Sequence, residues 1–243
     1  SIRLWTTTHR SHLTCEEVNV LITYTNEDCM VGMTRYPDKY FDLAIVDPPY
    51  GIGINNNIGR RKGDKPSNYK KAYWDNESPS ADYFEQLFRV SKNQIVWGAN
   101  HFIESINKNT QCWLVWDKGF SEDVSFSSFE MAWTSFDCAA KRLLLPSVQP
   151  DRIHPTQKPV ALYKWILKNY AKQGDLILDT HVGSASSLIA CYDMGFDAVG
   201  FELDKDYFDK STQRLEDFMR QPKLCEDYMY PPREQLGFKN ERV

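Results

Sequence analysis

Asp47-Pro48-Pro49-Tyr50 directly follows a short apolar run, Leu43–Val46. Each proline fixes its own φ and pushes the residue before it toward extended geometry, so the segment is stiff. A stiff segment leaving the carboxyl end of a buried strand lies where open α/β sheets bind ligands. It presents a carboxylate, a carbonyl that no helix ladder consumes, and an aromatic face. Together these can grip a planar amine: the Asp47 side chain and the Pro48 carbonyl accept both hydrogens of an exocyclic NH2, and Tyr50 stacks on the ring. The same four residues also fit a plain strand followed by a proline turn.

A second constellation runs through Leu176-Ile177-Leu178-Asp179, the small-residue stretch Thr180-His181-Val182-Gly183-Ser184-Ala185-Ser186-Ser187, and a helix. A strand, a tight turn and a helix N-terminus make a cradle for a nucleotide-like ligand. Glu202 lies 23 residues beyond Asp179, about where an acid meets ribose hydroxyls in dinucleotide sites. A phosphate loop is not expected, because neither Gly-Lys-Ser/Thr nor G-x-G-x-x-G is present. The bland alternative is a tight βα turn with a solvent-facing Glu. His101, His154 and His181 have no metal-ligand spacing, so each is read as packing or capping and no metal is expected.

These residues need a scaffold, and short apolar runs alternating with helical patterns point to an α/β sheet. Strands are expected at Val18–Thr23, Leu43–Val46, Gln94–Trp97, Trp113–Trp116, Phe129–Thr134, Leu176–Leu178 and Ala198–Phe201. Ser80 can cap a helix over Ala81–Val90, and Asp204 can cap a last helix carrying Phe208, Leu215 and Phe218 on one stripe. From Pro159, Val160, Tyr163, Ile166, Leu167 and Tyr170 keep the 3.6-residue period, with Gly174 as the expected C-cap. Residues 51–75 are rich in Gly, Asn, Lys and Arg and form a loop too long for a mere connector. Residues 137–153 read as a surface excursion, and 221–243, with Pro222, Pro231 and Pro232, as a loosely attached extension.

Composition bounds the remaining choices. At 243 residues, 42% hydrophobic and 26% charged, the chain is not disordered. No apolar run approaches the roughly 20 residues needed to cross a bilayer, and Ser1–Glu17 is too polar for a secretory segment. Six cysteines without a C-x-x-C pair fit a reducing cytosol. The net charge of −4 means that nucleic-acid binding requires a local basic patch. Arg60, Arg61, Lys62, Lys65, Lys70 and Lys71 supply a candidate, as do Lys141, Arg142 and Arg152, although charge runs are usually just solvated.

Taken together with His154-Pro155-Thr156-Gln157-Lys158-Pro159, the two constellations resemble the S-adenosylmethionine-dependent amino-methyltransferases that act on DNA adenine N6 or cytosine N4. The order is that of the β group, with the Asp-Pro-Pro-Tyr motif first and the cofactor loop last, and the resemblance spans about Val20 to Met219. It implies a Rossmann-like seven-stranded sheet in circularly permuted chain order, with helices on both faces. Residues 1–220 would be a single methyltransferase domain, with 51–75 a mobile substrate loop and 137–153 a short target-recognition-like insert.

The resemblance also implies roles. Asp47, Pro48, Pro49 and Tyr50 would be catalytic. The cofactor would be held by Asp28, Asp47, His154, Thr156, Lys158, Asp179, His181, Gly183, Ser184, Glu202 and Leu203. Tyr50, Arg60, Arg61, Lys62, Lys65, Lys141 and Arg142 would bind substrate. Trp97-Gly98-Ala99-Asn100 and Phe129–Trp133 look like segments lining the base pocket. The family's usual cofactor loop, Asp-Pro-Phe-x-Gly-Ser-Gly, differs here: Thr180, His181 and Ala185 replace Pro, Phe and the second Gly. Ala185 demands a negative φ or some strain.

The implied activity is adenine-N6 methylation of duplex DNA from S-adenosyl-L-methionine with the target base flipped out, Asp at position 47 favouring adenine. RNA adenine or DNA cytosine-N4 methylation and a catalytically silent DNA-binding subunit are the alternatives. A homodimer or companion specificity subunit, a place in restriction-modification, and a cytoplasmic, nucleoid-associated location are expected.

Overall fold

In the computed structural model of this chain, residues 1–10, 17–52, 78–120, 127–149 and 152–221 are described, the side chains of 7–10 and 17–18 excepted. Arg60, Arg61, Lys62, Lys65 and nearly all of the 51–75 loop lie outside the described residues, as does 222–243.

The described strands are β1 (Ile2–Arg10), β2 (Glu17–Asn26), β3 (Phe41–Val46), β4 (Ser91–Trp97), β5 (Leu114–Asp117), β6 (Phe129–Thr134), β7 (Lys141–Leu144), β8 (Ile177–Asp179) and β9 (Ala198–Glu202). They form one sheet in the order β1-β2-β9-β8-β3-β4-β6-β5-β7. The central run from β2 to β4 is parallel. β1 adds antiparallel at one edge, and β6 adds antiparallel to β4 at the other side.

The sheet therefore has nine described strands, not the expected seven. The two extra ones are the outermost, and their sequences explain why they were not expected. β1 carries three consecutive threonines, and β7 opens with Lys141 and Arg142 and is mostly exposed. An edge strand need not be apolar on both faces, and charge on an edge discourages unwanted pairing. Residues 141–144 are thus the sheet's last strand, paired parallel with β5, rather than part of a free excursion.

Six α-helices and one 3-10 turn (Ala99–His101) complete the described elements, the α-helices being α1 (Cys29–Met33), α2 (Ala81–Val90), α3 (Ile103–Ile106), α4 (Val160–Tyr170), α5 (Ser186–Met194) and α6 (Lys205–Arg220). Strand alternation sorts the core into two layers. Leu43, Ile45, Ile95 and Trp97 point to the face covered by α4, α5 and α6. Ala44, Val46 and Val96 point to the face covered by α1, α2 and α3. The period of two decides the side for every residue, so both faces of β3 are apolar, as a central parallel strand requires. No described helix is long and apolar enough to cross a membrane.

The helix caps follow local chemistry. Ser80 accepts a hydrogen bond from Tyr83 N, and Asp204 accepts from Asp206 N and Tyr207 N. Gly174 is not the cap of α4. That helix ends at Ala171 in extended conformation, its N–H bonded to Leu167 O, and Gly174 follows in a turn at φ +91°.

Candidate active site

β3 and β8 are neighbours, yet the chain leaves β3 toward β4 and leaves β8 toward β9, on opposite sides. That divergence opens a crevice at the carboxyl ends of the strands, the usual ligand position in open α/β sheets. A cleft of about 670 Å³ lies there, within the range of small-molecule sites.

Of the eleven residues expected to hold a cofactor, ten line this cleft: Asp28, Asp47, His154, Thr156, Lys158, His181, Gly183, Ser184, Glu202 and Leu203. Asp179 does not. It is buried at the end of β8, where it accepts from His181 N at 3.0 Å and from the Ser187 hydroxyl. Burial raises its pKa to about 7. Asp179 thus braces the turn between β8 and α5 from beneath.

Glu202, at the end of β9, binds the same turn from above. Its oxygens accept from Gly183 N at 2.8 Å and Asp204 N at 2.9 Å. Burial pushes its pKa to about 7 against the pull of those two donors. Gly200 lets the turn lie close on β9, since a Cβ there would meet Val182 Cγ2 at 2.6 Å. Asp28 caps α1 by accepting from Met30 N at 2.7 Å.

Thr180 and His181, the departures from the family loop, are built into the wall. Tyr83 of α2 and Thr180 share a hydroxyl–hydroxyl hydrogen bond of 2.6 Å, and Thr180 Oγ1 lies 2.9 Å from His181 Nδ1. The His181 ring meets Tyr83 edge-on, centroids 5.4 Å apart, and burial lowers its pKa to about 4, so it packs as a neutral aromatic ring. Ala185 takes the strained option, with φ +62° at the N-cap of α5. His154 is also neutral. Burial, then Lys158 and Arg152, lower its pKa to about 3; its Nδ1 accepts from Thr156 N and its ring tilts on Tyr207.

Asp47 leaves β3 at the cleft wall, followed by buried Pro48. Its Oδ1 accepts from the Tyr50 hydroxyl at 2.8 Å, and its Oδ2 pairs with Lys158 Nζ at 2.6 Å. Lys158, only 2% exposed, also reaches Glu130 Oε2 at 2.9 Å, and Lys118 Nζ binds Glu130 Oε1 at 2.7 Å. Burial raises Asp47 and Glu130 alike, but the two ammoniums outweigh it at Glu130 and hold that group at about 2. Burial opposes the Lys158 charge, yet the two carboxylates raise its pKa overall. Lys158 thus stands on the Asp47 carboxylate as well as on the cleft.

Tyr50, expected to stack on the target base, has one face of its ring stacked on His101, centroids 5.1 Å apart and planes 17° apart. Gly98, at φ +70°, passes so close that a Cβ there would meet Tyr50 Cε1 at 2.0 Å. Lys141 and Arg142 are not in the cleft: Arg142 pairs with Asp117 at 2.6 Å, and Lys141 stands over the Tyr170 ring of α4. The sequence reading missed Lys118, Tyr83, Tyr207 and the part played by Glu130. Each lies at the end of an element that opens on the crevice, but isolated polar residues there carry no spacing signature.

The sequence model of the DNA methylase family N6_N4_Mtase matches residues 107–213. The chain is 22% identical over 227 residues to YubD of Escherichia coli (strain K12), a methylase by name, covering 84% of this chain and 96% of that protein. The fold matches the crystal structure of the M1.HpyAVI-SAM complex with a TM-score of 0.56 at 18% identity, over 80% of this chain and 98% of the other. It also matches PvuII DNA methyltransferase (cytosine-N4-specific) with a TM-score of 0.54 at 11% identity, over 81% and 90%. Residues 107–213 are thus similar to the N6/N4 DNA methylases in sequence, and the chain shares the fold of solved DNA methyltransferases.

Proposed function

We propose that this chain transfers a methyl group from S-adenosyl-L-methionine to the exocyclic N6 of adenine in DNA, with the target base turned out of the duplex. The observation that carries the reading is the place of Asp47. One carboxylate stands at the wall of the cofactor-sized cleft and at the head of the Pro-Pro-Tyr segment, so it faces donor and acceptor of the methyl group at once.

The cleft fits the donor. Glu202 at the end of β9, with Gly183 bonded to it, suits ribose hydroxyls, Lys158 stands against Asp47, and Asp28, His154, Thr156, Ser184 and Leu203 also line the cleft. S-adenosyl-L-methionine is what a solved relative contains, and when bound it supplies an electrophilic methyl group. The chain's own residues supply orientation. Asp47 accepts a hydrogen from the amine, and the Pro48 carbonyl accepts the second. The nitrogen lone pair, delocalised in the free base, is thereby aimed into the cleft. Proton loss can follow transfer, so Asp47 need not be a strong base. A base inside a duplex cannot reach a crevice of this kind and must be flipped.

Cytosine N4 presents the same pair of hydrogens, and one structural neighbour, PvuII DNA methyltransferase, is cytosine-N4-specific. Digesting DNA treated with the purified chain and the cofactor to nucleosides, followed by mass spectrometry, separates the readings. N6-methyladenine is expected. N4-methylcytosine alone would reassign the base, and neither product, together with no calorimetric cofactor binding, would favour a silent subunit.

A further inference from the structure

A target amine approaching Asp47 meets a carboxylate with both oxygens engaged, Oδ1 by the Tyr50 hydroxyl and Oδ2 by Lys158. An ammonium buried on a single carboxylate could not be displaced without leaving a lone charge in the interior, which is costly. Lys158 has a second acceptor, Glu130 Oε2 at 2.9 Å. Glu130 cannot swing away, because Lys118 holds its other oxygen at 2.7 Å. Two carboxylates and two ammoniums balance, and the Tyr50 hydroxyl lies within 3.4 Å of Glu130 Oε2 as well.

We infer that Glu130 is a positioning residue: it shares the Lys158 ammonium with Asp47 and so leaves one Asp47 oxygen exchangeable for the incoming amine. The inference rests on the methyl-transfer reading above. When the amine donates to Oδ2, Lys158 moves its weight to Glu130 and no charge is stranded. Lys118 keeps Glu130 ionised and in place. The groups facing Asp47 are Lys158 from the segment before α4, Glu130 from β6, Tyr83 from α2, Tyr163 from α4, Asp179 from β8 and its own Tyr50. Among them Glu130 supplies negative charge from 28 residues before Lys158 in sequence, a pairing no spacing rule anticipates.

The test uses Glu130→Gln and Lys118→Met in the full chain, with melting and cofactor calorimetry as controls for folding and for the cleft. For Glu130→Gln, cofactor affinity is expected to stay and kcat to fall on the order of 10²-fold, the scale of a misplaced catalytic group. The acid limb of kcat should move to lower pH, because removing a neighbouring negative charge and giving Lys158 wholly to Asp47 both favour the carboxylate. Lys118→Met removes a positive charge instead, so its acid limb should not move to lower pH. A folded, cofactor-binding Glu130→Gln with unchanged kcat and pH profile would overturn the inference. A denaturant-unfolding cycle combining Asp47→Asn with Glu130→Gln separates this failure from failure of the methyl-transfer reading, since it needs no activity. Non-additive midpoints are expected through the shared Lys158, and additive ones would also overturn it.

Discussion

Asp47 and Glu202 use one functional group in two ways. Asp47 is paired with a cation that offsets part of its burial, although burial still raises its pKa. Among the described residues Glu202 is balanced by two backbone N–H groups, and burial leaves its pKa near 7 from an ordinary 4.5. A carboxyl with a higher pKa folded than unfolded binds its proton more tightly when folded. Its contribution to stability is therefore greatest below about pH 4.5, declines as pH rises, and is lost above about 7. The unfolding free energy of the wild type should fall relative to Glu202→Gln between pH 5 and 8 by on the order of 1–3 kcal/mol. Urea titrations across that range check it, and parallel curves would mean that Glu202 is solvated. Glu202→Ala should weaken cofactor binding about ten- to a hundredfold, as loss of a charged hydrogen bond to hydroxyl groups does; titration calorimetry measures it.

Among the elements, the left-handed turn after β4 has the most direct consequence for chemistry. Gly98 stands at φ +70° against the Tyr50 ring. Gly98→Ala would add a Cβ where the ring already lies and would force Tyr50 off Asp47. Methyl transfer should drop at least tenfold, by the loss of about one hydrogen bond at the proposed catalytic carboxylate, while cofactor affinity measured by calorimetry stays. The elements that position this site were legible because they are central: Leu43–Val46 and Ala198–Phe201 are uniformly apolar, and Ser80 and Asp204 are chemically explicit caps. The misjudged elements are peripheral. β1 and β7 are edge strands with one face in water, and Gly174, a cap by its spacing, lies beyond the actual C-cap at Ala171. Ten of the expected residues meet in one cleft because short motifs carry them. The Glu130–Lys158 pairing was not legible, because it joins β6 to a loop across the sheet and leaves no local pattern.

For the molecule as a whole, β3 and β8 are far apart in the chain but neighbours in the sheet, and the site lies at their carboxyl ends. Such a crevice binds a small molecule well but offers little to a duplex, and the chain's net charge of −4 opposes DNA. The candidate counterweight is the segment from 60 to 71, with six Lys/Arg and one Asp. If it contacts phosphates, replacing Arg60, Arg61, Lys62 and Lys65 by Ala should flatten the slope of log affinity against log salt by up to roughly 3–4 units. Anisotropy across a salt series reads this, and an unaltered slope would assign DNA contact elsewhere. The central claim is that Asp47 serves the amine while the rest of the cleft serves the cofactor. Asp47→Ala tests it most directly when radiolabelled methyl transfer to DNA and calorimetric cofactor binding are measured on the same preparation. The account predicts at least a hundredfold loss of transfer, the scale of one preorganised catalytic group, with cofactor affinity nearly intact. Transfer at the wild-type rate, or loss of both together, would contradict it.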